Sequence, residues 1–356
     1  MTTIQHDTTP ASTGVPQAHP GDQHEIPSFE AHDSSDSLKE RIKKHYEIAS
    51  DYYYSLWGQH IHHGLFRAAG ETKEQAQVNL IRLLLDVSAL APRARVLDVG
   101  CGVGGTSRFL ARERACRVTG VTISGRQVAI ARQATAAEIG GGGGSSTTTT
   151  TTTNSSQPDS LAMEYPGKDG KPGGAVRFLE LDAEKMAEHF GGERETFDCV
   201  WISEALSHLP NKELFFASSF ALLDSSSNGG DGSSSKGGLL VIADWFKAPG
   251  LTAAQEEADI KPIEDGMLLP RLYTADEYVA LAEGAGFRVR RAPLDISKDV
   301  AKTWDISWSL VSSPSLWAFA ISQGRDGLAF LQAFRAMRRG YANGTFRYAV
   351  MCFEKP

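Results

Sequence analysis

The chain of 356 residues has no apolar run long enough to cross a bilayer as a helix, so no stable membrane insertion is expected. It has no run of Lys and Arg either, and its formal net charge is −7. A general nucleic-acid binder needs a basic surface for phosphate contacts, so no nucleic-acid partner is expected. Residues 1–36 hold no apolar h-region and no Arg, while carrying several Asp and Glu, which argues against a secretory leader or a mitochondrial presequence. Cysteine is scarce. Cys101, Cys116, Cys199 and Cys352 are the only four, and none is paired at metal-ligand spacing. The expectations are no metal and buried free thiols in a reducing, cytoplasmic setting. No feature of the sequence reports an oligomeric state.

The residues present are divided by three polar tracts. Residues 1–36 read as a disordered tail rich in Thr, Pro, His, Asp and Ser. Residues 140–174 contain a Gly run and the run Thr147–Thr153, and residues 224–238 are almost entirely Ser, Gly, Asn and Asp. Both read as low-complexity surface insertions in a core over 92–356. Ahead of that core, 37–91 read as an N-terminal helical cap, with Val78, Ile81, Leu84, Leu85 and Val87 crowding one helix face. Segments 246–284 and 298–345 read as helical lid insertions. Strands are expected at 95–100, 117–122, 176–181, 197–203, 239–245, 287–293 and 346–354, with helices at 106–114 and 125–139. That alternation predicts an α/β fold: a Rossmann-like, seven-stranded, mostly parallel sheet with helices on both faces, N-terminal helices and a late lid.

The strongest motif is Val96-Leu97-Asp98-Val99-Gly100-Cys101-Gly102-Val103-Gly104-Gly105. Glycines directly after a buried strand make a tight turn and let backbone approach a ligand, while the next helix N-terminus favours an anion. Gly100, Gly102 and Gly105 also satisfy a dinucleotide fingerprint, so a nicotinamide-dependent oxidoreductase is the rival. Two residues separate the readings. Asp98 sits where it can reach a ligand amino group, and the second strand ends in Thr122 where a dinucleotide enzyme places an acid for ribose.

Asp98–Gly105, with Gly120-Val121-Thr122-Ile123-Ser124 and Gln127, resembles small-molecule methyltransferases related to γ-tocopherol methyltransferases, sterol methyltransferases and cyclopropane-fatty-acid synthases. The run His45–Tyr53, with Trp57-Gly58 and His60-Ile61-His62-His63-Gly64, and the ending from Arg339-Gly340-Tyr341 to Pro356 are most similar to the γ-tocopherol-like branch. The resemblance spans roughly 38–356 outside the tracts. It implies S-adenosyl-L-methionine as cofactor and a small, apolar or amphipathic acceptor methylated at C, N or O, as in secondary metabolism. It also implies that Asp98, Gly100, Cys101 and Gly102 line the methionyl end, with Tyr46 near the cofactor. Thr122, Ser124 and Gln127 would lie by the ribose, and Asp182 and Ala183 by the adenine. Asp182 can equally serve as a helix N-cap before Glu184-Lys185-Met186.

Catalytic candidates should follow the fourth strand, in Ser203-Glu204-Ala205-Leu206-Ser207-His208. A helix beginning near Ser203 would put Glu204 and His208 on one face, where the carboxylate would orient the imidazole and raise its pKa. His60, His62 and His63 have no Cys or acid at ligand spacing and read as structural or acceptor-pocket residues. Trp245 and the aromatic segment Trp304–Trp317 are expected in an acceptor pocket or lid. A cyclopropane-type lipid reaction and a non-catalytic binding protein are the remaining alternatives.

Overall fold

A computed structural model describes residues 35–140, 161–167, 172–192, 196–224, 237–311 and 325–356. Residues 1–34 of the tail expected at 1–36 and most of the two polar tracts lie outside the described residues, while residues 35 and 36 begin the first helix. Hydrophobic continuity decides the centre of the sheet. Strands β1 (Arg95–Val99), β5 (Cys199–Ser203) and β6 (Leu239–Lys247) are buried at every position except one end residue. Strands of that kind are stable only between two covering layers. The period of two sorts their side chains: Val96 joins one core cluster, while Leu97 and Val99 join the other.

β2 (Arg117–Thr122) and β4 (Ala175–Glu180) extend the sheet on one side of β1. β7 (Arg288–Asp295) and β8 (Phe346–Glu354) complete the other side. Among the described residues the order is β3-β4-β2-β1-β5-β6-β8-β7 in one eight-stranded sheet. β1, β2, β4, β5 and β6 run parallel, whereas β8 is antiparallel to both β6 and β7. The expected seven strands become eight because β3 (Met163–Glu164) pairs antiparallel with Val176 and Ala175 at the edge. Two residues inside a polar tract cannot display alternation, so only pairing reveals them.

Helix α1 (Ser35–Trp57) crosses above the strand ends, and α2 (Lys73–Ser88) packs on one face. α2 begins at a capping box between Thr72 and Gln75 and buries Leu80, Ile81, Leu84 and Val87. Burying each of those side chains contributes about 2 kcal/mol before entropy is counted. α3 (Gly105–Arg114) and α4 (Gly125–Gly140) follow β1 and β2, and α5 (Met186–Gly192) and α6 (Lys212–Leu222) flank β5. The late segments form α7 (Ala253–Gln255), α8 (Lys261–Gly266), α9 (Ala275–Gly284), α10 (Ser297–Val300), α11 (Lys302–Val311) and α12 (Arg325–Asn343). α9 departs from the lid reading of 246–284. Its Tyr278 and Ala282 are buried with Phe216, Phe246 and Phe353 in a core cluster, because the apolar face of α9 covers the sheet.

The chain leaves β1 toward β2 on one side and returns at β5 on the other. That reversal opens a crevice at the carboxyl ends of β1 and β5, where sheets of this type bind ligands.

Candidate active site

Gly100, the first residue after β1, has φ +71°, and a Cβ placed there would lie 2.3 Å from the Ala205 Cβ. The Ala205 methyl of the turn after β5 therefore packs directly on the Gly100 backbone, which only glycine allows. Gly105 is needed for a different reason. A Cβ there would meet the Gln59 carbonyl at 1.9 Å, so the segment carrying Gln59 and His60 lies directly over the start of α3. Gly104, the N-cap of α3, is left-handed and has no side chain with which to cap the helix amides.

One cavity runs from this turn along the strand ends. Its wall includes Gly100 and Gly102 after β1, Thr122, Ile123 and Gln127 after β2, and Leu181, Asp182 and Ala183 after β4. Lys39, Ile42 and Tyr46 of α1 close it from above, and Glu204, Ala205 and His208 close its inner end. Asp98 and Cys101 line a smaller adjoining recess with Gly100, Gly102 and His60. Asp98 is 2 % exposed and accepts from Ser107 Oγ at 2.5 Å. Burial pushes its carboxyl up to about 6, with the Ser107 hydrogen bond opposing that rise. Such a carboxyl is set to ionise when a cation arrives beside it.

Most of the cofactor-side candidates thus meet in one place. Thr122 Oγ1 donates to Gln127 Oε1 at 2.5 Å, which fixes both side chains on the wall. Asp182 accepts from the Glu184 amide at 3.0 Å as the N-cap of a short 3-10 turn, and Lys39 of α1 pairs with it at 3.1 Å. Ser124 differs from the expectation. It is fully buried off the cavity wall, donating to Glu47 of α1 at 2.9 Å and capping the Gln127 amide at 3.2 Å. Its hydroxyl is used up in holding the β2–α4 turn beneath α1.

The helix expected after β5 does not form at Glu204. That residue sits in the left-handed region at φ +55°, and a 3-10 turn, Leu206–His208, follows. Glu204 and His208 therefore do not pair as consecutive turns of a helix would. Glu204 is instead held by His63 and Tyr348. Oε1 accepts from the His63 amide at 2.6 Å and from Tyr348 Oη at 2.9 Å, while Oε2 lies 2.9 Å from His63 Nδ1. Burial would raise this carboxyl, but the His63 ring and amide outweigh it and hold Glu204 below its ordinary value. His208 faces Tyr46, with Nε2 3.5 Å from the phenol oxygen. Tyr348 was missed, and His63 was read as a structural or acceptor-pocket residue without its pairing to Glu204, because neither is near Glu204 in sequence and only the return of β8 beside β6 brings Tyr348 in.

A second, largely aromatic cavity opens on the far side of the same residues. Trp57, His62, His63, Trp245, Met267, Thr303, Trp304, Ser307 and Phe334 line it. It shares Tyr46, Ile61, Glu204 and His208 with the first cavity. Trp245 and Trp304 thus line a cavity, while Trp317 lies outside the described residues. Among the described residues no cluster of His, Cys, Asp and Glu could hold a metal, and no helix is long and apolar enough to cross a membrane.

Two family models match the chain, Mycolic acid cyclopropane synthetase over residues 33–142 and Methyltransferase domain over 97–226. A chloroplastic tocopherol O-methyltransferase of Arabidopsis thaliana is 23% identical over 91% of this chain and 84% of its own. A 2-methyl-6-phytyl-1,4-hydroquinone methyltransferase of Synechocystis is 29% identical over 60% of this chain and 52% of its own. Among solved structures, a mycolic acid cyclopropane synthase complexed with SAH and CTAB superposes with TM-score 0.66 at 18% identity, covering 89% of this chain and 98% of that one. The chain has the class I methyltransferase fold. It is an S-adenosylmethionine-dependent methyltransferase.

Proposed function

We propose that this enzyme methylates an oxygen or carbon of an amphipathic metabolite at the junction of the two cavities, with Glu204 and His208 as the catalytic groups. The observation that carries this reading is the sharing of Tyr46, Glu204 and His208 between a glycine-floored cavity at the strand ends and an aromatic one. S-adenosylmethionine supplies a methyl group on a sulfonium, already activated for in-line displacement. The residues present suit it. Asp98 would hold the ammonium, the turn Gly100–Gly102 with Cys101 and the amides of α3 would hold the carboxylate, Thr122 and Gln127 would hold the ribose, and Asp182 and Ala183 would hold the adenine edge. Ser124 takes part from behind, as a brace for the Thr122 turn.

The chain's own work is to position an acceptor and take its proton. Glu204, held ionised by His63 and Tyr348, accepts a proton from the attacking group. His208 and Tyr46 orient that group and exclude water. The aromatic wall supports a phenolic or hydroquinone ring with an apolar tail, the kind of acceptor named for the plant and cyanobacterial relatives. The match to the cyclopropane synthetase model supports lipid alkene methylation as the second reading. The test is mass spectrometry after incubation with methyl-labelled S-adenosylmethionine and a panel of phenols, prenyl hydroquinones, sterols and unsaturated lipids. Label on a phenolic oxygen or ring carbon supports the first reading, and a labelled cyclopropane supports the second. Label on neither, with S-adenosylhomocysteine still bound, refutes both acceptor classes. We also place the enzyme in the cytoplasm, on the ground of four free cysteines, although the plant relatives are chloroplastic. Cell fractionation tests that placement.

A further inference from the structure

Two charged residues are buried behind the turn that carries His208. Lys212 is 1 % exposed and Asp244 is 0 % exposed. Lys212 Nζ donates to the Leu209 carbonyl at 2.9 Å and to the Ser207 carbonyl at 3.4 Å. Asp244 Oδ2 accepts from the Ser207 amide at 3.1 Å, while Oδ1 accepts from the Trp245 amide at 2.7 Å. Together they tie down the peptide groups on both sides of His208. Asp244 also joins that turn to Trp245, whose ring lies 6.1 Å from the His208 ring and 5.9 Å from the His63 ring.

Stability alone does not account for this pair. Lys212 is the first residue of α6, where the helix dipole disfavours a cation, and burial strips its ammonium of water. Burial lowers its pKa to about 8, with Asp244 opposing. Burial likewise pushes Asp244 up to about 6, against its hydrogen bonds to Trp245 and Ser207. An apolar side chain of similar length would remove the desolvation cost of Lys212. Its ammonium gives two N–H groups to carbonyls of the turn and lies 5.1 Å from the Tyr273 ring, so its hydrogen bonding is spent on the turn.

We propose that Lys212 and Asp244 are positioning residues for methyl transfer, clamping the turn Leu206–His208 so that the imidazole is held at the meeting point of the two cavities. The proposal rests on the placement of His208 at the transfer point made above. A short 3-10 turn after a left-handed residue has little regular hydrogen bonding of its own, so buried charge-assisted bonds supply the rigidity.

The test compares the full-length native protein with K212M, K212R and D244N. The 15N imidazole spectrum of each is recorded with saturating S-adenosylhomocysteine, His208 being assigned from H208Q. The native protein and K212R should give a single sharp set of His208 signals, while K212M and D244N should broaden or multiply it. D244N should melt below the native protein, because its side chain can accept from only one of the two backbone amides and leaves the Lys212 charge uncompensated, so all spectra are recorded well below its melting temperature. With γ-tocopherol as acceptor, K212M and D244N should lose about 10-fold to 100-fold in kcat at unchanged KM for S-adenosylmethionine, the scale of misplacing a catalytic group. Native-like His208 signals in both K212M and D244N would overturn the clamp. A native enzyme that binds S-adenosylhomocysteine but leaves γ-tocopherol unmethylated counts against the acceptor reading, and the imidazole comparison then decides the clamp alone.

Discussion

The two cavities that meet at Tyr46, Glu204 and His208 are made in opposite ways. The glycine-floored one is built on short contiguous stretches, Gly100–Gly102, Thr122–Ile123 and Leu181–Ala183, at the carboxyl ends of neighbouring parallel strands. The aromatic one is assembled from side chains between Tyr46 and Phe334, contributed by α1, β6, α11, α12 and connecting segments. Backbone recognition at strand ends needs glycines and a few polar groups at set offsets. Recognition by a side-chain wall needs only shape, so each wall residue can change without disturbing the fold. A common cofactor and divergent acceptors follow from that contrast.

The contrast should be sharpest at the shared residues. Glu204→Gln keeps the size of the side chain and removes the proton acceptor, so kcat should fall by about 10²-fold to 10⁴-fold. Calorimetry should find S-adenosylhomocysteine affinity little changed, and a comparable loss of that affinity would move Glu204 to the cofactor side. On the glycine-floored side, Gly100→Ala puts a methyl 2.3 Å from the Ala205 Cβ in a left-handed backbone. Gly102→Ala meets the same backbone restriction at φ +54° but has open space, with a cost of about 1 kcal/mol. S-adenosylhomocysteine titrations and thermal melts should therefore show G100A as the more damaged variant on both readouts. Equal damage would mean that the contact of the two turns is irrelevant.

On the aromatic side, Trp304→Leu should raise acceptor KM about 10-fold, equivalent to about 1.4 kcal/mol, and leave cofactor affinity intact. Steady-state kinetics with each substrate varied in turn would check that separation. The smallest expected effect is a pH dependence. Asp98 has its carboxyl raised to about 6 in the free protein, and an ammonium partner favours the ionised form. Binding strength gained from that pairing is complete above about 6 and lost as pH falls through it. Affinity for S-adenosylhomocysteine at pH about 6 should be roughly half its value at neutral pH. Asp98→Asn should bind more weakly with a flat profile across the same range, and an unchanged slope in D98N would assign the proton to another group.

Much of the glycine-floored side was readable in the linear chain because its determinants are local. Glycines after an apolar strand, an acid two residues ahead and a Thr ending the next strand each report on backbone within a few residues. Asp182 was readable in the same way, as a cap. Local reasoning failed where a local rule was broken. Glu204 was placed on a helix because the spacing to His208 suits one, yet its left-handed backbone turns the carboxylate toward His63 and Tyr348. Ser124 was expected by the ribose alongside Thr122 and Gln127, which line the cavity, whereas Glu47 of α1 claims its hydroxyl. The strand β3 was invisible because a two-residue edge pairing carries no pattern.

Patterning along the chain determined the α/β class, the parallel core and the glycine turn, since hydrophobic period and turn chemistry act over a few residues. Tertiary structure decided which partner each charged group would have. Glu204 gained His63 and Tyr348, Lys39 gained Asp182, and Asp244 gained the turn beneath His208. Those pairings depend on strand order and on helices returning across the sheet, and residues separated by a hundred positions have no local signal of meeting.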